Sequence, residues 1–196
     1  MTDSRCAAPV EFADIVNYWA GDLSAADVDR IEDHVFTCGE CARQLAEGAA
    51  LARGIAVVVR EGHFHSLVTD ALLNRLAMDG VRMRTYVLDP GDVVPCSVWA
   101  DDDLVITRIR ADFSGADSVT VVTRLGSGEE ISRLSDVPIR PGQGEILDAI
   151  SAALLRRLPS TLVRMTVTAR AARGEWTLGD YVLEHAGTFD RARRTR

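Results

Sequence analysis

The sequence predicts an α+β fold, with a small helical domain at the N-terminus followed by an antiparallel β-sandwich-like domain that carries one inserted helix. Three observations predict it. Over residues 1–60 apolar side chains recur at helical spacing. Beyond Gly80 they alternate or gather in short β-branched runs, separated by Asp, Gly and Pro clusters. Between the two regimes the segment EGHFH, residues 61–65, has no period and includes a glycine, which marks a linker. The expected domains are therefore residues 1–62 and 63–190, followed by a basic tail over 191–196 that is expected to be disordered.

The elements follow in order. Phe12, Ile15, Val16 and Trp19 form a first short helix that breaks at Gly21. Ser24 stands as an N-cap with Asp27 three residues on, an acidic variant of the capping box, and Val28, Ile31 and Val35 make the stripe of a second helix over residues 25–36. From Glu40 the Ala-rich run CARQLAEGAALARGIAVVV favours a third helix in spite of Gly48 and Gly54. Three helices offer little core, which suits a domain held by a metal. A helix over residues 66–78, with Leu67, Ala71, Leu72 and Leu76 on one face and Gly80 as its C-terminal cap, fits either domain. Strands are expected at 82–88, 93–99, 104–113, 118–125, 130–134, 162–169 and 176–185. The segment 145–158 reads as the inserted helix, since Ile146, Ile150, Ala153, Leu154 and Leu158 suit helical spacing and Pro159 ends it. Seven short strands in this pattern point to a sandwich.

Composition narrows the function. An apolar fraction of 47% with 26% charged residues can build a sizeable core. The most apolar run, residues 55–59, lies between Arg53 and Arg60 and is far too short to span a membrane. Nothing at the N-terminus resembles a secretory signal, so a soluble, cytoplasmic protein is expected. A net charge of −7 and a pI near 5.1 give no footprint for direct nucleic-acid binding. The basic cluster Arg191, Arg193, Arg194 and Arg196 reads as a solvated end. Neither a GxSxG elbow nor a phosphate-binding loop occurs, and no catalytic residue is expected. GSGEE at Gly126 reads as a hairpin turn, and Asp101, Asp102 and Asp103 as a solvated turn.

In a reducing cytosol, cysteines favour metal binding or redox work over disulfides. The segment HVFTCGECARQL has HxxxCxxC spacing. His34 would occupy the last turn of the second helix, while Cys38 and Cys41 flank the entry to the third. All three can converge on one tetrahedral ion, the geometry zinc takes with sulfur and imidazole. Amides and dipole at the third helix's N-terminus would favour thiolate there. The competing reading, a redox dithiol, normally opens a helix within a βαβ unit, and no such context surrounds Cys38. A closed zinc site needs a fourth ligand. Cys6 is the candidate, on a short lead before the first helix; otherwise it is an incidental thiol of the terminus. His63 and His65 form an HxH pair read as linker histidines, and Cys96 reads as a buried small apolar residue.

YWAGDLS followed by DRIEDHVFTCGECARQL resembles the zinc-binding anti-sigma factor domain, whose pattern is an aromatic or Leu pair, Gly-Asp/Glu-Leu-Ser, then a His and two cysteines. Tyr18, Gly21, Leu23, Ser24, His34, Cys38, Cys41 and Leu45 match it, over residues 6–60. The family places a His or Cys ligand about ten residues before the position of Tyr18, where this chain has Ala8 with Cys6 two residues earlier. Ala20 stands where the family commonly has Asp. The resemblance implies a regulator that wraps its helices around an alternative sigma factor and blocks access to RNA polymerase. In redox-responsive members, oxidation of the thiolate ligands expels zinc and frees the sigma factor. The alternative is a zinc-stabilised adaptor or ligand-binding protein whose sandwich carries the function and whose helical module mediates homo-oligomerisation.

Overall fold

A computed structural model describes residues 6, 8–140 and 142–189. The arginines at 191, 193, 194 and 196 lie outside the described residues. The chain forms two compact units, one within Met1–Val58 and Thr69–Gly80, the other within Val59–Val68 and Val81–Arg196.

The first unit is helical: α1 (Phe12–Ala20), α2 (Ala25–Thr37), most of α3 (Gly39–Glu61) and α4 (Asp70–Met78). Helix α1 ends on Gly21 at φ 78°, a left-handed position that favours glycine. The amides of Gly21 and Asp22 return to the carbonyls of Tyr18 and Asn17. At the start of α2, Ser24 Oγ accepts from the Asp27 amide at 3.2 Å and donates to its carboxylate at 2.7 Å. The serine half of the expected capping box is in place, while Asp27 accepts the Ser24 hydroxyl and not the Ser24 amide. Tyr18 Oη donates to Glu32 at 2.8 Å and ties α1 to α2. Helix α1 also meets α4, where Arg75 lies over the Trp19 ring. Ile15, Ile31, Cys41, Ala56, Leu73 and Leu76 are buried. Phe12 and Val16, which share the helical spacing of Ile15, are instead 61% and 45% exposed.

The second unit holds two sheets. One has strand order β1-β7-β4-β2, from His65–Val68, Glu145–Ser151, Leu104–Arg110 and Met83–Leu88. The other has order β3-β9-β8-β5-β6, from Val93–Trp99, Gly174–Phe189, Thr161–Ala171, Ser118–Leu125 and Glu130–Pro138. Leu88, Ile109 and Ile146 of the first sheet share one buried cluster with Val121, Met165 and Tyr181 of the second. Two tyrosine hydroxyls clip the sheets together. Tyr181 donates to the Arg110 carbonyl at 2.8 Å, and Tyr86 donates to Ser97 O at 2.6 Å while accepting from Ser97 N at 2.9 Å. Burial pushes the Tyr181 hydroxyl up to about 12.

Several sequence expectations are corrected here. Most pairings are antiparallel, but β2 pairs with β4 in parallel, as does β3 with β9. A parallel pair needs a crossover, and β3, lying in the other sheet, is the crossover from β2 to β4. Residues 145–151 form a strand, not a helix; only Ala152–Leu155 is helical (α5). Strand β7 is hydrogen-bonded on both sides, to β1 and β4, and buried on both faces, so its apolar residues show no alternation. Residues 65–68 form β1, placing His65 in a sheet rather than a linker. Asp102 is not in a solvated turn. It is 8% exposed, accepts from Arg84 Nε at 2.6 Å and Nη2 at 3.2 Å, and accepts from the Trp99 amide at 2.7 Å, with Arg84 stacked over Trp99. The turn at Gly126 does join β5 to β6, and Cys96 is buried, its thiol pushed up by desolvation.

Helix α3 contains two glycines in different surroundings. A Cβ at Gly48 would lie 2.5 Å from the Ile15 Cγ2 methyl, so glycine lets α1 approach α3 there. A Cβ at Gly54 meets nothing within 4 Å. Gly48→Ala is expected to lower stability by about 1 kcal/mol, an overpacking cost of about 1–3 kcal/mol set against a helix-propensity gain of about 1 kcal/mol. Gly54→Ala is expected to raise it by up to about 1 kcal/mol. Urea unfolding of the two variants beside wild type checks the opposite signs.

Candidate metal centre

The candidate centre assembles at the junction of α2 and α3. His34 lies in the last turn of α2, Cys38 caps that helix, and Cys41 lies in the first turn of α3. The Cys38 amide bonds the His34 carbonyl at 2.9 Å, and the Cys38 carbonyl accepts the Ala42 amide at 3.0 Å, so one residue closes one helix and opens the next. This turn converts the HxxxCxxC spacing into a cluster. The spacing alone puts the three side chains near one another; the corner makes them converge.

The donor atoms of Cys6, His34, Cys38 and Cys41 all lie within 4.8 Å of one another. His34 Nε2 is 3.3 Å from Cys6 Sγ and 3.2 Å from Cys41 Sγ. Cys41 is buried, whereas the other three are half-buried. The sequence thus named the four residues that meet, including Cys6 from the lead before α1. Ala8, at the family's usual ligand position, is exposed and carries no donor side chain. Glu40 is the residue that sequence reasoning missed. Its carboxylate accepts the Cys6 amide at 3.0 Å and pins the lead against the first turn of α3. A carboxylate there also complements the helix dipole.

The thiols differ in acidity. The Cys41 amide facing the Cys38 sulfur holds that thiol below its usual value, against the opposing effect of burial; the Cys6 and Cys41 thiols and the Glu40 amide add to the lowering. For Cys6, the Ala8 amide pulls downward, but burial and the neighbouring cysteines outweigh it and raise the thiol. Helix-terminal amides are thus aimed at the Cys38 sulfur. Three thiols and one imidazole around a common point form a donor set compatible with a metal ion. Among the described residues this is the single such group.

The other histidines lie elsewhere. His63 is exposed. His65, on β1, places Nε2 2.9 Å from Asp148 Oδ1 of β7. His185 is buried on β9. Residues 83 positions apart make the His65–Asp148 pair, and no local pattern announces it.

No family model matches the chain, and neither does any curated protein. Among solved structures the chain is similar to the N-terminal domain of phage TP901-1 ORF48, at 12% identity and a TM-score of 0.33, over 54% of this chain and 98% of that one. No helix among the described residues is long and apolar enough to cross a membrane.

Cobalt(II) reports the ligand set directly, because thiolate-to-cobalt absorption scales with the sulfurs bound. Wild type is expected to bind one equivalent with the intensity of three thiolates. Cys6→Ala should keep the ion with weaker affinity and less absorption. Glu40→Ala should keep the full intensity but lose roughly tenfold in affinity, as removal of an outer-shell partner does. Unchanged absorption in Cys6→Ala would remove Cys6 from the set.

Proposed function

We propose that the chain is a zinc-binding anti-sigma factor that sequesters an alternative sigma factor. The observation that supports this most is the meeting of Cys6, His34, Cys38 and Cys41 at a helix corner, inside a segment that resembles the anti-sigma zinc domain. A donor set of three sulfurs and one imidazole suits zinc among the common divalent ions. Cys6, His34, Cys38 and Cys41 would hold the ion, which would supply a link between the lead, α2 and α3. The protein's own residues do the rest. Glu40 fixes the lead, the Cys38 turn sets the angle between α2 and α3, and Tyr18–Glu32 fixes α1 to α2.

The helices also carry apolar side chains left in solvent. Phe12 and Val16 stand one turn apart on α1, and Phe36, near the end of α2, is 86% exposed. Such side chains favour a protein partner over free solution. Redox response is part of the reading. Peroxide would take two electrons from two of the thiolates, giving a disulfide and two waters with the two protons taken up, and leaving too few ligands to keep zinc.

The second reading is a zinc-stabilised adaptor or ligand-binding protein whose helical module forms homo-oligomers, and a cavity inside the sandwich favours it. The neighbouring gene separates the two: a sigma-factor gene supports sequestration, a metabolic operon the adaptor.

Co-expression with the alternative sigma factors of the source genome is expected to yield a stable complex with one of them. Phe12→Ser combined with Val16→Ser should weaken that complex roughly 100-fold, the scale of losing interface hot spots, with zinc content unchanged. Peroxide should release both zinc and partner. A zinc-loaded chain that captures no sigma factor would discard the sequestration reading, and zinc retained under peroxide would discard its redox control.

A further inference from the structure

Within the second unit a cavity of about 190 Å³ lies among residues of both sheets and α5. Val105 and Ile150 wall it from one sheet, Val163 and Leu183 from the other, and Leu154 and Leu155 from α5. Into this apolar space face His65, Asp148 and His185, with Thr107, Thr123 and Ser132 completing the polar lining. A cavity of about 150 Å³ lined by apolar side chains admits benzene, so this one takes a substituted single ring.

The polar groups define what else the occupant carries. His65 Nε2 and Asp148 Oδ1 are 2.9 Å apart. Burial opposes a charge on His65, but the bond and the charge of Asp148 outweigh it and raise its pKa, so the two compensate one another. His185 has no such partner. It takes the inward position after Tyr181 and Leu183 on β9, is 3% exposed, and neither ring nitrogen makes a hydrogen bond. The carbonyls of Leu155 and Leu158 lie towards the ring without reaching hydrogen-bond geometry. Burial lowers its pKa, so at neutral pH the ring is uncharged, with one donor and one acceptor. Buried polar atoms without partners are rare and costly, and here the residue that carries them lines a cavity whose occupant could complete it.

We propose that this cavity binds a small neutral molecule, apolar over most of its surface, that ends in one hydroxyl group hydrogen-bonded to His185. Neutrality follows from the walls. An ionised head group would lose its hydration in an apolar space where the one charged pair is already compensated. A purely hydrocarbon occupant would leave His185 as it stands. The site lies wholly in the second unit and is independent of the zinc and sigma-factor reading.

The test uses 4-ethylphenol, ethylbenzene and 4-ethylbenzoate, titrated into the full chain by calorimetry and by methyl NMR shifts of Val163 and Leu183. Expected is binding of 4-ethylphenol about tenfold tighter than ethylbenzene, the scale of one net hydrogen bond, with 4-ethylbenzoate weakest and the shifts centred on those two residues. His185→Phe keeps the ring but removes the nitrogens, and should erase the tenfold preference. Leu154→Trp, which fills the cavity from a half-buried position on α5, should abolish binding of all three. Failure of every compound to bind wild type overturns the proposal, as does equal affinity for phenol and hydrocarbon or a preference for the benzoate. So does a phenol preference that survives in His185→Phe.

Discussion

The corner at Cys38 is the constraint on which the helical unit depends. One residue ends α2 through its amide and starts α3 through its carbonyl, and its side chain points at the sulfur and imidazole atoms on either side. Because the helices leave this corner in fixed directions, a ligand three or four residues away on either helix can meet the same point. The lead from before α1 is then drawn in by Glu40, which binds its backbone rather than its sulfur. With few buried apolar residues, a unit of this size gains much from any link that closes long segments of chain.

The sandwich solves a different problem. Its two sheets share one apolar core, yet polar groups sit inside it under strict terms. Tyr86 and Tyr181 bury their rings and satisfy backbone groups across the sheets with their hydroxyls. Arg84 and Asp102 bury a charge pair that is bidentate, backed by an amide and stacked on Trp99. Each of these groups is complete, as burial demands. His185 breaks that pattern, and it does so beside the apolar cavity between the sheets.

Much of the helical unit was legible because its signals are local. The caps at Gly21 and Ser24, the stripe containing Ile31 and the HxxxCxxC spacing all lie within one or two turns, and the structure realises each. Cys6 could be named as a fourth donor from residue type alone, but the means of holding it could not, since the Glu40 carboxylate acts on an amide 34 residues away. In the sandwich the alternating strands were readable and β7 was not. A central strand buried on both faces presents Ile146, Leu147, Ala149 and Ile150 without alternation, broken only by Asp148, a pattern that helical spacing fits equally well.

By itself the sequence determined which residues are helical near the N-terminus, where most strands begin, and which four side chains have the chemistry to share a metal. These follow from turn geometry, periodicity and donor type, which act over a few residues. Tertiary structure alone decided the parallel pairing of β2 with β4 and β3 with β9, the burial of Asp102 against Arg84, and the meeting of His65, Asp148 and His185 around one cavity. Such outcomes depend on which strands become neighbours. That choice is settled by packing two apolar faces against each other, and no short stretch of chain encodes it.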